Sequence, residues 1–326
     1  MLTIHSLDHL PPGRPPLHLA LGVFDGLHLG HQEVICSAIH AAKQHGGLSG
    51  VLTFHPHPAS ILHPSRQAPA SLCHPETRDE ILSSLGLDLL ILLPFTPALA
   101  AVPANDFILQ LLNANVRTIA VGEDWRFGHN RSGDTQLLQS FASTHPLHVI
   151  AVPPVRLHSH RISSTRIRQT IAHGDFPAAN EMLGRTYSVR GTVTHGAQLA
   201  RSLGFPTANI NPGNTALPPD GVWIVKASSP LLPSLHGVAN LGCRPTVDGH
   251  GRLLETHLFD FSANLYDLPI EVSFLHHLRK EIKFPNLEAL QHQILTDCAV
   301  SRAWLASHQY PIQKNYTGEQ FLIDQQ

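Results

Sequence analysis

The stretch that decides the fold of the first half is Gly22–His31, GVFDGLHLGH, which continues the apolar run LHLALGVF of Leu17–Phe24. A short apolar run reads as a buried strand. Gly22 and Gly26 then permit a tight turn that lets backbone come close to a ligand. His28 and His31 lie one helical turn apart and can face the same partner. Three readings stand at this point. A zinc site would need a third ligand, and the HxxxH spacing of a zinc helix is absent. A phosphate site would use the free amides of a helix start. The plainest reading is a helix start with two solvated histidines.

Outward from this stretch, apolar runs recur at Gly50–Phe54, Asp88–Phe95, Arg117–Gly122 and Leu147–Val152. Between them lie segments of helical spacing, such as Val34, Ile35, Ala38, Ile39 and Ala42. Strands that are apolar throughout and alternate with helices imply a parallel sheet covered on both faces, a doubly wound α/β domain. Ligands of such sheets bind beyond the carboxyl ends of the strands. There the sequence places GVFDG, TFHPHP (Thr53–Pro58) and GEDWRFG (Gly122–Gly128).

The pattern changes near GDFPAANEMLGR, Gly174–Arg185. Beyond it come short strands with turn signals, including YSVRGTVTHG, GVWIVKAS, HGVANLG, LETHLFDF and LPIEVSFLHHL, which predict an antiparallel barrel. From about Asn286 apolar residues at Leu287, Leu290, Ile294, Cys298, Ala299 and Trp304 predict a long amphipathic helix that closes it. The expected domains are 1–182 and 183–326.

At 326 residues the chain can bury two cores. Its net charge of −2 offers no basic field for nucleic acid. No run approaches the roughly 20 apolar residues of a membrane span, and the N-terminus lacks the pattern of a secretory signal. A cytoplasmic protein, a monomer or weak homo-oligomer, is expected. Cys36, Cys73, Cys243 and Cys298 form no CxxC pair and are expected to be buried reduced thiols.

Two further motifs carry chemistry. HRISSTRIR, His160–Arg168, sets Ser164, Thr165, Arg161 and Arg168 around a helix start, which suits an anion or a simple cap. In LGFPTANI, Leu203–Ile210, Thr207 and Asn209 are two apart and point the same way on an extended segment. Two hard oxygens beside phosphates suit Mg²⁺. No Gly-Lys pair occurs in the chain, which excludes a P-loop kinase.

GVFDGLHLGH followed by ISSTRIR resembles the paired signatures of the nucleotidyltransferase superfamily. With TFHPHP and GEDWRFGHNRSG between them, and GTVTHGAQLARSLGFPTANI, GVANLGCRPTV and LLETHLFDF after them, the chain resembles the bacterial bifunctional riboflavin kinase/FMN adenylyltransferases, or FAD synthetases. The resemblance implies a Rossmann-like nucleotidyltransferase domain and a riboflavin-kinase barrel. It implies ATP-dependent phosphorylation of riboflavin to FMN in the second, and adenylylation of FMN to FAD with release of pyrophosphate in the first, with Mg²⁺.

By the same resemblance His28 and His31 steady the triphosphate. Gly22, Phe24, Asp25, Gly30, Arg161, Ser164, Thr165 and Arg168 surround ATP, and Arg201 serves the nucleotide of the kinase. Pro56, His57, Pro58, Asp124 and Arg126 match flavin-side loops. Thr207 and Asn209 hold the metal, and Glu255 is the general base. Ala200, Trp223 and Asp267 depart from the family pattern at positions usually Gly, Tyr and Gly. The competing readings are an enzyme with one live domain and a regulatory protein that binds flavin and nucleotide without turnover.

Overall fold

The computed structural model describes residues 1–195, 200, 203–246 and 249–310. The chain divides into two compact units, residues 1–167 with 182–184, and residues 168–181 with the chain from 185 onward.

The first unit is built on six parallel strands, β1 (Leu2–Ile4), β2 (Leu17–Leu21), β3 (Leu48–His55), β4 (Leu89–Pro94), β5 (Val116–Gly122) and β6 (His148–Val152). They run in the order β1-β4-β3-β2-β5-β6. β1, too short to stand out in the sequence, adds an edge strand beside β4. The alternation of side chains along each strand builds two cores. Leu19, Ile91, Ile119 and Val121 pack to one side with Phe107, Ile108 and Leu111 of the helix Ala104–Asn113. Ala20, Val51, Leu90 and Ala120 pack to the other with Val34, Ile35, Ala38 and Ile39 of α1 (Leu29–His45). The helical face read from the sequence is the face that is buried.

Chain order reverses between β2 and β5, which pair directly. That reversal opens a crevice beyond their carboxyl ends, where Gly22–His28 and Gly122–Gly128 lie.

A two-stranded hairpin, β7 (Arg156–Leu157) and β8 (His160–Arg161), follows β6. The second unit contains β9 (Ser188–Thr194), β10 (Ala208–Ile210), β11 (Gly221–Ser229), β12 (Leu232–Thr246), β13 (Gly249–Leu258) and β14 (Pro269–Arg279). They close a barrel in the order β10-β13-β12-β11-β14-β9. All neighbours are antiparallel. A helix Leu287–Ser307, capped by Asn286 Oδ1 on the Ala289 N–H at 2.8 Å, covers one side.

Part of the expected apolar stripe faces inward, Cys298 and Trp304 packing with Leu305 against Val222, Ile224, Val238 and Phe259, but the most deeply buried residues are not all apolar. Leu287 is 51 % exposed, and the inward residues are Asp297, Ser301 and Leu305. Asp297 can be buried because Arg279 of β14 meets both its oxygens, with Nη2 at 2.6 Å, and Gln293 Nε2 donates to it at 2.9 Å. An ion pair therefore stands beside the apolar contacts of this face. The expectation of four buried thiols is also corrected: Cys243 is exposed and the other three are half-buried.

The three departures from the family pattern have different structural consequences. Trp223 is fully buried among Phe176, Phe274 and His277, at ring separations of 5.5, 5.6 and 4.6 Å. Its indole N–H reaches Pro219 O at 3.1 Å, so the larger ring is accommodated with its donor satisfied. Asp267 has a φ of +64°, a conformation that glycine adopts without strain. Ala200 is in helical backbone, which makes no demand for glycine. Trp223→Ala should lower the stability of the second unit by about 3–5 kcal/mol. Calorimetry should show the transition of that unit falling while that of the first unit is retained; an unchanged thermogram would contradict the packing described.

Candidate active sites

In the first unit the turn after β2 is fixed from three other segments. Thr53 Oγ1 donates to Val23 O at 2.9 Å. Asp25 Oδ1 accepts from the Leu72 N–H at 2.9 Å and from Ser71 Oγ at 3.4 Å. Ser164 Oγ donates to Asp25 O at 3.1 Å. Within the turn Phe24, Gly26 and Leu27 have φ of +49, +83 and +45°. At Gly26 a Cβ would also lie 2.8 Å from Leu72 Cβ, so only glycine fits. Non-glycine residues in this region cost of order 1–3 kcal/mol each and persist where surroundings impose them.

This turn delivers both histidines to the start of α1. His28, 5 % exposed, is the N-cap, and its Nδ1 accepts the His31 N–H at 3.2 Å. A neutral imidazole that accepts at Nδ1 carries its proton on Nε2. The His31 ring stacks on it at 3.6 Å and 21°, with Phe24 edge-on at 5.3 Å. His31 Nδ1 is buried without a hydrogen-bond partner. Burial, and then the neighbouring His28, push the His31 pKa well below 6.5. A Cβ on Gly30 would lie 3.2 Å from His28 Cε1, so the glycine makes room for the capping ring. The result is a neutral polar surface beside the free amides of a helix N-terminus. Among the described residues no three His, Cys, Asp or Glu side chains gather into a metal site.

The two signatures are brought together, since Ser164, the first residue of the helix Ser164–Ala172, is bonded to the turn itself. Thr165 is exposed and Arg168 half-buried. Arg161 precedes this helix in a two-residue strand, and its guanidinium grips Asp124 at 2.6 and 3.0 Å. The phosphate-side arginine and the flavin-side aspartate are thus one pair. The Arg161 hydrogen bonds hold the Asp124 carboxyl below its usual range. Arg126 pairs with Asp134, which caps the helix Thr135–Ala142 through Leu137 N at 2.9 Å. Pro56, His57 and Pro58 form the turn from β3 into the helix Pro58–Leu62, where His57 Nδ1 accepts the Ala59 N–H at 3.1 Å.

In the second unit the barrel register does the placing. Asn209 of β10 and Asn240 of β12 both lie opposite Glu255 of β13, so three polar side chains share one face. Asn209 is 5 % exposed, and its Oδ1 has no hydrogen-bond partner. Two cavities meet here. One of about 380 Å³ is lined by Thr207, Asn209, Thr256, Ser262, Asn264 and Tyr266. The other, of about 290 Å³, is lined by Thr207, Asn209, Val238, Glu255, Ile282 and Phe284. Thr207 and Asn209 line both. Arg201 lies outside the described residues.

Sequence reading missed Leu72, which anchors Asp25, and Asn240, whose Nδ2 donates to Glu281 Oε1 at 3.1 Å. It also missed His257, which stands two residues from Glu255 and lines the same cavity. Burial lowers the His257 pKa despite a hydrogen bond to Pro206 O. The alternation Glu255-Thr256-His257 was the available signal, because residues two apart on a strand share a face.

A model of the FAD synthetase family matches residues 12–166, and one of the riboflavin kinase family matches residues 183–305. The bifunctional riboflavin kinase/FMN adenylyltransferase of Haemophilus influenzae is 37 % identical over 89 % of this chain and 94 % of its own length. That of Pseudomonas fluorescens is 37 % identical over 94 % and 98 %. That of Escherichia coli K12 is 34 % identical over 92 % and 95 %. A Streptococcus pneumoniae crystal structure named a macrolide-efflux protein superposes with a TM-score of 0.80 at 31 % identity, covering 93 % of this chain and 99 % of that one. Efflux is a name of that protein; among the described residues of this chain no helix is long and apolar enough to cross a membrane. With two family models matched in succession and relatives aligned over nearly their whole length, the chain belongs to the bifunctional riboflavin kinase/FMN adenylyltransferase family.

Proposed function

We propose that this chain is a cytoplasmic enzyme that phosphorylates riboflavin to FMN within residues 183–326 and adenylylates FMN to FAD within residues 1–182. The observation that carries the reading at the level of residues is the register pair Asn209–Glu255, because it sets a candidate base beside a buried, partnerless oxygen at the junction of two cavities.

In the kinase, the more apolar cavity takes the flavin ring and the more polar one the nucleotide. Glu255 accepts the proton of the ribityl 5′-hydroxyl as its oxygen bonds to the γ-phosphorus and the β–γ bridging P–O bond breaks, releasing ADP. The donor set fits Mg²⁺: Thr207 and Asn209 offer hard oxygens, and burial of Asn209 Oδ1 without a partner is costly unless a ligand satisfies it. Bound there, the ion would offset negative charge on the transferring phosphates. Asn240 and Glu281, already joined, fix the rim of the flavin cavity.

In the adenylyltransferase, an oxygen of the FMN phosphate attacks the α-phosphorus of ATP and pyrophosphate leaves. His28 and His31 donate ring N–H groups to the triphosphate, and the hydroxyls of Ser164 and Thr165 with the Arg168 guanidinium hold its outer oxygens. Asp25 orients the turn through the Leu72 N–H. Arg161 reaches phosphate only by sharing or leaving Asp124, which makes the pair a gate on the flavin side.

Purified protein given riboflavin, ATP and Mg²⁺ should accumulate FAD, read by chromatography. FMN alone would remove the adenylyltransferase from the reading, and unchanged riboflavin with FMN still converted would remove the kinase. Glu255→Gln should lower FMN formation by roughly 10²–10⁴-fold and leave FMN adenylylation intact. His31→Ala should lower adenylylation by roughly 10²–10³-fold and leave the kinase intact. Loss of both activities in either variant would contradict separate sites.

The depressed pKa of His31 gives a pH test. In the free protein its ring should stay neutral well below pH 6.5, and added ATP should raise its pKa because an anion favours the imidazolium. Ring ¹⁵N NMR measures both; no upward shift with ATP would remove His31 from the triphosphate. The same depression means that below pH 6.5 the unfolded chain binds the proton first, so His31 should cost the fold stability as pH falls from there.

A further inference from the structure

The antiparallel ladder between β10 and β13 ends at Ala208–Thr256. The next residues outward on β10's side are Thr207 and Pro206, and Pro206 has no N–H with which to continue pairing. His257, the next residue on β13, takes over with its side chain: its Nδ1 lies 2.9 Å from Pro206 O. A carbonyl only accepts, so Nδ1 is the donor and carries the proton. The ring is held edge-on between two phenylalanines, Phe205 at 5.5 Å and 82° and Phe259 at 6.1 Å and 74°. It lines the cavity that also contains Glu255, Thr207 and Asn209.

The consequence follows from the planarity of the peptide unit. Pro206 O and Thr207 N belong to one rigid plane, so a hydrogen bond that fixes the oxygen also fixes the N–Cα bond from which the Thr207 side chain departs. Resting on the kinase reading above, we infer that His257 is a positioning residue for phosphoryl transfer: its Nδ1–H clamps the Pro206–Thr207 peptide and so aims the Thr207 hydroxyl at the metal. Glu255 and His257 then work from one strand face, the first on the substrate hydroxyl and the second on the oxygen ligand beside it.

The test uses the full-length protein and three variants. The amide of Asn sits where Nδ1 was, whereas the amide of Gln reaches toward the Nε2 position. His257→Asn should therefore keep riboflavin kinase kcat within about 3-fold of wild type. His257→Ala and His257→Gln should each lose tenfold or more in kcat and need several-fold more Mg²⁺ for half-maximal rate, with the KM for riboflavin within about 2-fold. In the absence of turnover, Mn²⁺ titrated into protein with ADP should bind several-fold more weakly to both variants by EPR, and unchanged Mn²⁺ affinity would overturn the inference. The calorimetric transition of the second unit, expected within about 2 °C of wild type in all three variants, serves as the control of folding. Equal behaviour of the Asn and Gln variants would overturn the inference, as would a loss in His257→Ala with an unchanged Mg²⁺ requirement. Wild-type protein that makes no FMN would instead overturn the kinase reading itself.

Discussion

The turn between β2 and α1 cannot hold itself. Phe24, Gly26 and Leu27 are all left-handed, a conformation the chain resists, and it is imposed by hydrogen bonds arriving from Thr53, Leu72 and Ser164 on three other segments. Thr53 lies in β3, Leu72 precedes the helix Pro75–Ser84, and Ser164 opens the helix Ser164–Ala172. The stacked histidines depend on this arrangement, because His28 caps α1 only if the turn presents it there. The strain and its restraints belong together: a geometry the local sequence disfavours persists because the surrounding segments impose it.

The second unit solves the corresponding problem with register instead of strain. Pairing in a closed barrel leaves little freedom to slip, since a shift of one residue would turn every side chain to the other face. Asn209, Glu255 and Asn240 are therefore aligned by the ladder itself. The ladder stops one residue short of Thr207, and there a side chain, His257, supplies what the backbone no longer can.

Much of this was legible in the sequence where burial sets a period. The apolar runs of the parallel sheet and the inward face of α1 were visible because a strand covered on both sides and a helix covered on one leave no choice of residue. The closing helix was visible in extent, and Cys298 and Trp304 of its apolar face do pack inward, but its buried Asp297 was not foreseen. Asp297 reads as a surface residue until Arg279, eighteen positions earlier, is known to lie against it. The same holds for Arg161 and Asp124, assigned by motif to opposite ligands and found holding each other. Such contacts depend on which segments lie alongside, and no periodicity records that. The glycine substitutions show the converse. Asp267 does occupy a left-handed position, whereas the Ala200 backbone is helical and asks for no glycine.

The two units meet the negative charge of ATP by different means, and the difference follows from which phosphorus is attacked. In the proposed adenylyl transfer the leaving group is pyrophosphate, a large anion whose charge spreads over many oxygens. Several neutral or cationic donors around a helix N-terminus match it, and the rings of His28 and His31 can donate without first being charged. In the proposed kinase the charge is concentrated on the small phosphoryl group in flight between two oxygens. A single divalent ion on hard ligands answers that better than a ring of N–H donors, provided its ligands are held still. Thr207 is the ligand nearest the end of the ladder, so it is the one that most needs an external restraint, and the Pro206 carbonyl beside it is where that restraint is found.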